Sequence, residues 1–128
     1  MDVTIPADIS AALLTRIPEV FGGTIDDALL GALSRAVRSW QRHREIDDTT
    51  PVVVLSEGHG RYEDVLEAGP EPRRADLSRT VGWFTSIAPL TVDPDRDVVH
   101  AVKAAKEERL ALPDRGIGYG FARYTTGN

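Results

Sequence analysis

A run of four apolar residues at 52–55 is followed, within six positions, by a carboxylate, an imidazole, a guanidinium and two glycines. These residues are Glu57, Gly58, His59, Gly60 and Arg61, and the two glycines permit a tight approach of the backbone or a positive φ. A carboxylate at the C-terminal end of a buried strand is well placed for catalysis, because α/β sheets present ligands at that edge. Burial would raise the pKa of the Glu57 carboxyl towards the range useful for proton transfer. The alternative is a surface turn in which Glu57 pairs with Arg61, and spacing alone favours that turn.

Two further stretches carry residues that are typical of binding sites. "GIGYG" at 116–120 includes Gly118 and Tyr119, but it lacks both the G-x-G-x-x-G dinucleotide pattern and the G-K-[ST] ending of a phosphate loop. We therefore expect a loop with unusual backbone dihedrals beside an aromatic ring. "GWFT" at 82–85 places Trp83 next to Phe84, and on a strand these rings face opposite sides. One ring is then expected in the core and the other in a pocket, and the sequence does not decide which.

Composition excludes several classes of function. The 128 residues are enough for one domain with a modest core, and the formal net charge of −5 comes without a basic run, which argues against nucleic-acid binding. The chain has no cysteine, which excludes disulfides, thiolate catalysis and zinc–thiolate sites. Its three histidines are far apart in sequence, so no metal site is expected. No signal peptide and no membrane-spanning run are apparent, and a cytoplasmic location is predicted.

The N-terminal half of the chain predicts two helices. The first, "ADISAALLTRIP", is expected to end at Pro18. In the second, Thr24 is predicted to cap the helix, with Asp27 as its capping-box partner. Apolar residues recur along this second helix at helical spacing and predict its buried face. They are Ile25, Leu29, Leu33, Val37 and Trp40.

The C-terminal half predicts the remaining elements. "VVVL" is typical of a central strand, and the polar residues 62–76, with prolines at 70 and 72, predict a surface loop with one helical turn. Residues 79–92 predict a long strand, bent near Gly82 and ended around Pro89. A helix starting near Asp95 is expected, followed by a glycine-rich loop at 112–124. The predicted buried side of that helix comprises Val98, Val99, Val102 and Leu110. This order indicates an α/β arrangement with a mixed sheet and flanking helices.

Three motifs in this order resemble a known family. "EGHGR" (57–61), "RTVGWFTSIAP" (79–89) and "PDRGIGYG" (113–120) closely resemble the C-terminal half of epimerization domains of nonribosomal peptide synthetases. "TIDDALLGALSRAVRSW" (24–40) resembles the family's helix upstream of them. These domains are relatives of condensation domains in the chloramphenicol-acetyltransferase-like superfamily, and "RTVGWFT" favours epimerization over condensation. The resemblance implies that residues 1–128 form a single unit with part of that α/β fold.

The resemblance also implies a chemistry. Epimerization domains invert the α-carbon of an aminoacyl or peptidyl thioester carried on the phosphopantetheine arm of a peptidyl carrier protein. The catalytic Glu of the family corresponds to Glu57, which would act with a His from an H-H-x-x-x-D motif on the other half of the domain. The residues expected to line the substrate tunnel or to support the motifs are Gly58, His59, Gly60, Arg61, Trp83, Phe84, Thr85, Gly118 and Tyr119. No directly bound cofactor and no metal are implied.

The chain departs from the family pattern at several points. Tyr62 stands where the family often has Glu, and Ala88 stands where an aromatic residue usually precedes the proline. No His-His pair exists in the sequence. We therefore expect a C-terminal portion without its N-terminal half, inactive alone and prone to self-association through exposed apolar surface. Whether the chain itself is an enzyme stays open, and the alternatives are a non-catalytic docking module for a carrier protein and a fragment of a condensation-type, amide-forming domain.

Overall fold

The structure, a computed structural model, describes residues 2–46, 51–67, 76–92 and 97–125. Helix α1 (Ala7–Phe21) continues past Pro18, so the prediction that this proline ends the helix was wrong. A proline inside a helix removes one backbone hydrogen bond, and here the helix still continues for three residues beyond it. The helix ends at Gly22, whose φ of 56° is left-handed and whose N–H donates to the Pro18 carbonyl oxygen.

Helix α2 (Ile25–His43) begins as predicted at Thr24. The Asp27 carboxylate accepts a hydrogen bond of 2.7 Å from the Thr24 N–H, which satisfies a backbone donor that the helix itself cannot pair. Residues Ala7–Phe21 and Ile25–His43 thus form two consecutive helices, joined by a short connection that contains Gly22 and Gly23. The sequence prediction of two N-terminal helices is confirmed.

The buried face of α2 is not the apolar stripe that helical spacing predicted. It consists of Asp27, Ala28, Gly31, Ser34 and Arg38. The predicted core residues Leu29, Leu33 and Trp40 are 44% to 53% exposed. The reason is the close approach of helix α4 (Val98–Ala111), because a Cβ atom at Gly31 would lie 2.9 Å from the Val102 backbone nitrogen.

Helix α4 buries small residues on the side that meets α2. Ala101, Val102 and Ala105 are its buried residues, so of the four predicted core positions only Val102 is correct. The predicted core residues Val98 and Leu110 are more than half exposed. Small side chains on both helices allow the two backbones to approach closely, and longer apolar side chains are left outside the contact. The expected start near Asp95 lies outside the described residues.

A buried ion pair joins the start of α2 to α4. Arg109 Nε donates to Asp27 Oδ1 over 2.7 Å, and the Asp27 side chain is fully buried. Burial raises the pKa of this carboxyl, but the hydrogen bonds from Arg109 and the Thr24 N–H outweigh that effect and hold the pKa below its ordinary value. Asp27 therefore caps one helix and fixes a second.

Strands β1 (Val52–Gly58) and β2 (Ser86–Val92) pair in a two-stranded sheet. Burial alternates along β1, with Val52 buried and Val53 61% exposed, so the prediction of a strand buried on both faces was wrong. Strand β2 begins later than predicted and continues past Pro89 to Val92, so the prediction that the strand ends around this proline was wrong. Ala88 and Leu90 of this strand are buried.

The end of the chain is helical where a loop was predicted. One turn of helix, α3 (Glu63–Glu67), follows β1 and confirms the helical turn expected there, whereas the predicted loop around prolines 70 and 72 lies outside the described residues. A tight turn at Pro113–Gly116 then leads into helix α5 (Ile117–Thr125). Glycine richness suggested a loop, but an i,i+4 contact stabilises the helix, since Arg123 donates to the Tyr119 hydroxyl over 3.1 Å.

The chain divides into two compact units. The first takes the described residues up to 54 and from 91 to 109, including α1, α2 and most of α4. The second takes the described residues from 55 to 90 and from 110 onward, including α3, most of β2 and α5. None of the described helices has the length and apolar character needed to cross a membrane.

Candidate functional site

Glu57 lies near the end of β1, at the position expected of the candidate catalytic carboxylate. Its side chain is exposed, so the predicted burial is not provided by the described part of the chain. The two-residue alternation of a strand places Glu57 on the same face as Val53 and Leu55, which are also exposed. The carboxylate is thus presented on a strand face with apolar neighbours.

Arg61 does not pair with Glu57, and the alternative of a surface ion pair is therefore wrong. Its guanidinium donates to the Leu77 carbonyl oxygen over 3.0 Å and to the Thr80 carbonyl oxygen over 2.9 Å. The same group lies 4.3 Å from the centre of the Phe84 ring, within the range of a cation–π contact. Arg61 therefore ties the segment that precedes β2 to the end of β1, and joins the first motif to the second.

Gly60 and Gly58 allow this close packing. Gly60 has a φ of 65°, and a Cβ atom there would overlap the Phe84 carbonyl oxygen, so the expectation of positive φ and close approach is confirmed at this glycine. A Cβ atom at Gly58 would lie 2.5 Å from the Tyr62 hydroxyl oxygen and 2.9 Å from Ser86 Oγ. Glycine is therefore favoured on both sides of His59, because a side chain at position 58 or 60 would overlap its neighbours.

Tyr62, at a position where this chain departs from the family pattern, links the first motif to the third. Its ring centre lies 4.4 Å from that of His59 and 5.0 Å from the Arg115 guanidinium carbon. Arg115 also forms an ion pair of 2.6 Å with Asp64 at the start of α3. Arg115 belongs to the stretch "PDRGIGYG", so the third motif makes side-chain contacts with residues that directly follow the first.

The turn before α5 contacts the second motif. Asp114, Arg115 and Gly116 all have left-handed backbone conformations, with φ of 48°, 51° and 83°. A Cβ atom at Gly116 would lie 2.6 Å from the Ala88 Cβ. Ala88 is the second departure from the family pattern, and its small side chain leaves room for this turn. The expectation of unusual dihedrals is confirmed for the turn, whereas residues 117–125 are helical.

The structure does not bring all the predicted site residues together. Trp83 is 91% exposed and Thr85 is also exposed, and both lie before β2 rather than on a strand. Phe84 is half-buried against Arg61, so neither aromatic residue follows the strand-based expectation. Among the described residues, Gly118 has no neighbour outside its own helix within 4 Å of where a Cβ atom would lie, and Tyr119 contacts Arg123.

Several residues that shape this region were not predicted from the sequence. The Leu77 and Thr80 carbonyl oxygens bind Arg61 from 16 and 19 residues away, and local spacing carries no signal for such contacts. Asp64 is acidic and close to Tyr62 in sequence, and its partner Arg115 lies 51 residues further on. Within the described ranges, no group of three His, Asp or Glu side chains is arranged to hold a metal ion.

Comparisons with known proteins place these motifs in a family. No protein-family model matches the chain. Chondramide synthase of Chondromyces crocatus is 43% identical over 117 residues, covering 91% of this chain and 3% of that protein. A linear gramicidin synthase of Brevibacillus parabrevis is 39% identical over 120 residues, covering 92% of this chain and 2% of that protein.

A solved structure gives the decisive comparison. The crystal structure of the epimerization domain from the third module of tyrocidine synthetase B superposes with a TM-score of 0.76 and 30% sequence identity, covering 98% of this chain. The chain matches part of a nonribosomal peptide synthetase epimerization domain in both sequence and fold. The predicted family and the partial α/β fold class are confirmed. The chain spans 26% of the solved domain's chain, and only a few per cent of the synthases.

Proposed function

We propose that the chain is the C-terminal, Glu57-bearing portion of an epimerization domain. In this proposal it helps to invert the α-carbon of an aminoacyl or peptidyl thioester held on the phosphopantetheine arm of a peptidyl carrier protein. The observation that supports it best is the match to the solved epimerization domain over 98% of the chain. The contacts among the three motifs near the end of β1 add to that support.

The chemistry explains why one carboxylate is not enough. Inversion at carbon requires proton acceptors and donors on both faces of a planar enolate-like intermediate, in a site that excludes water. Glu57 supplies one such group, but its side chain is exposed on a strand face with Val53 and Leu55. The other half of the domain, which would cover this face and carry the histidine of an H-H-x-x-x-D motif, would complete the site. We therefore expect the isolated chain to be inactive.

The remaining predicted site residues have distinct proposed roles. Gly58, Gly60, Arg61 and Phe84 hold the end of β1 in place through the contacts described above. Trp83 is proposed to line the substrate tunnel, because an aromatic ring with 91% exposure is available for a contact outside the described part of the chain. Thr85, Gly118 and Tyr119 are proposed to line the tunnel or to support the motifs, and this role rests on the resemblance alone. The cytoplasm remains the proposed location.

Exchange of the substrate's α-proton with deuterated solvent tests the proposal. The isolated chain, mixed with an aminoacyl thioester on a carrier protein, is expected to show no exchange. A reconstituted domain is made by replacing the matching quarter of the tyrocidine synthetase B epimerization domain with this chain, and it is expected to exchange the proton. Glu57→Gln should abolish that exchange, whereas Glu107→Gln, on the exposed side of α4, should not. Exchange by the isolated chain that survives Glu57→Gln would refute the role of Glu57.

The exposed apolar residues of α2 favour a second candidate function. Leu29, Leu33 and Trp40 leave an apolar face on this helix, and such faces commonly mark interaction surfaces. In this alternative the chain is a non-catalytic docking module for a carrier protein or a neighbouring domain. A pull-down with the carrier, with and without its phosphopantetheine arm, separates the two functions. Binding that is indifferent to both the arm and Glu57→Gln supports docking.

Two related possibilities have direct tests. A condensation-type fragment would support formation of an amide bond, so product analysis of the reconstituted domain with an amine acceptor distinguishes it from an epimerase. Self-association through the exposed face of α2 is proposed for the isolated chain. Light scattering is expected to show a dimer, and a monodisperse monomer at all concentrations would argue against this surface as a contact.

A further inference from the structure

His59 is held in one orientation by the backbone of its own motif. Its Nδ1 accepts a hydrogen bond of 2.9 Å from the Arg61 N–H. An imidazole nitrogen that accepts a hydrogen bond does not carry the proton, so the proton of the neutral ring lies on Nε2. Because the guanidinium of Arg61 is bound to the Leu77 and Thr80 carbonyls, the N–H that fixes His59 belongs to a residue that is itself anchored.

The ring of His59 is also supported from the side. The Tyr62 ring lies 4.4 Å away with an interplanar angle of 51°, and Arg115 lies over the Tyr62 ring. The Tyr62 hydroxyl occupies the space beside Gly58, which limits movement of the tyrosine towards β1. Tyr62 is half-buried and His59 is exposed, so the imidazole is positioned while one of its edges remains accessible.

Glu57 and His59 are both exposed and are separated in sequence by one residue. Exposure alternates over residues 57–60, with Glu57 and His59 exposed and the two glycines half-buried. This continues the two-residue alternation of β1 beyond its last residue. Nε2 of His59 has no hydrogen-bond partner among the residues that the structure describes. An oriented N–H donor without a partner in those residues thus follows the Glu57 carboxylate by two positions in the sequence.

We propose that His59 Nε2–H is a substrate-binding donor, which receives the thioester carbonyl oxygen while Glu57 exchanges the adjacent α-proton. This inference rests on the proposed function and adds a residue to it. Removal of an α-proton moves negative charge onto the carbonyl oxygen, and a donor already in place stabilises that charge without reorganisation. The proton on Nε2 stays on the ring throughout, and only the hydrogen bond becomes stronger.

The first test needs no activity. Nitrogen NMR of the full chain, labelled with 15N, is expected to show His59 with protonated Nε2, unprotonated Nδ1 and a scalar coupling between Nδ1 and the Arg61 amide nitrogen. Such a coupling reports the N–H···N hydrogen bond directly. Tyr62→Leu should broaden or shift the ring resonances of His59, whereas Tyr124→Leu on α5 should leave them unchanged. A protonated Nδ1 and no coupling to Arg61 would overturn the proposal.

The second test uses the reconstituted domain and two amide side chains. The Gln amide nitrogen reaches the position of Nε2, whereas the shorter Asn side chain mimics only the Nδ1 edge. We expect His59→Gln to retain most of the exchange rate and His59→Asn to lower it by about 100-fold, the usual effect of removing one such donor. A fully active His59→Asn refutes the contact while the function of Glu57 stands. An inactive wild-type domain refutes the proposed function and, with it, this contact.

Discussion

The substitution Gly60→Ala is expected to destabilise the chain strongly, although it adds one methyl group. Gly60 has a φ of 65°, which costs a residue with a Cβ atom about 1–2 kcal/mol. The new Cβ would also overlap the Phe84 carbonyl oxygen, and a backbone atom cannot rotate away as a side chain can. Displacing Phe84 weakens its contact with the Arg61 guanidinium, worth about 0.5–1 kcal/mol at an accessible site. We expect a total loss of about 2–3 kcal/mol in the free energy of unfolding.

The same change at Gly118 is a matched control. Gly118 lies in α5, and no described residue outside that helix comes within 4 Å of an added Cβ, so Gly118→Ala should stabilise the helix by about 0.5–1 kcal/mol. In urea unfolding followed by circular dichroism, the urea concentration at the midpoint should therefore fall for Gly60→Ala and rise for Gly118→Ala. The dependence of the unfolding free energy on urea concentration should be similar for both variants. Equal midpoints for Gly60→Ala and the wild type would refute the close approach of Gly60 to Phe84.

Three other substitutions test separate parts of the structure. Asp27→Asn removes the buried partner of Arg109 and should destabilise the chain by about 2–4 kcal/mol at neutral pH in urea unfolding. Because the pKa of Asp27 is lowered in the folded state, its stabilisation is present above the unfolded pKa and disappears as the pH falls through the folded pKa, so the difference between wild type and variant should shrink in acid. Ala88→Phe restores an aromatic residue but overlaps Gly116, and should lower the unfolding free energy by about 1–3 kcal/mol. Leu33→Lys, at an exposed apolar position, should reduce self-association in light scattering without lowering the urea midpoint.

Local rules predicted the features that depend on neighbouring residues. The Thr24–Asp27 capping box needs only residues three apart, and the position of Glu57 near the end of a strand needs only the short apolar run before it. The positive φ at Gly60 was also expected, because glycine adopts this conformation without a steric cost. These elements fix where the candidate catalytic carboxylate lies along the chain, though not what surrounds it.

Tertiary packing decided the features that were predicted wrongly. Helix α2 carries an apolar stripe and a small-residue stripe, and periodicity does not say which of them meets α4. Gly31 permits the closer approach, so Leu29 and Leu33 remain exposed. The partners of Arg61 are backbone carbonyls, which any residue type offers, and no sequence pattern could identify them. Glycine content suggested a loop at residues 117–125, where the structure forms a helix.

Glu57 is proposed to exchange the α-proton in an epimerization domain whose other half covers the exposed face of β1. The most direct test is the rate of α-deuterium incorporation into a carrier-bound aminoacyl thioester by the reconstituted domain, for wild type, Glu57→Gln and Glu107→Gln. We expect Glu57→Gln to lose at least about 100-fold in rate, within the range for a general base, while folding and carrier binding are retained. Glu107→Gln should exchange like wild type. A Glu57→Gln domain that exchanges the proton at the wild-type rate would contradict this role of Glu57.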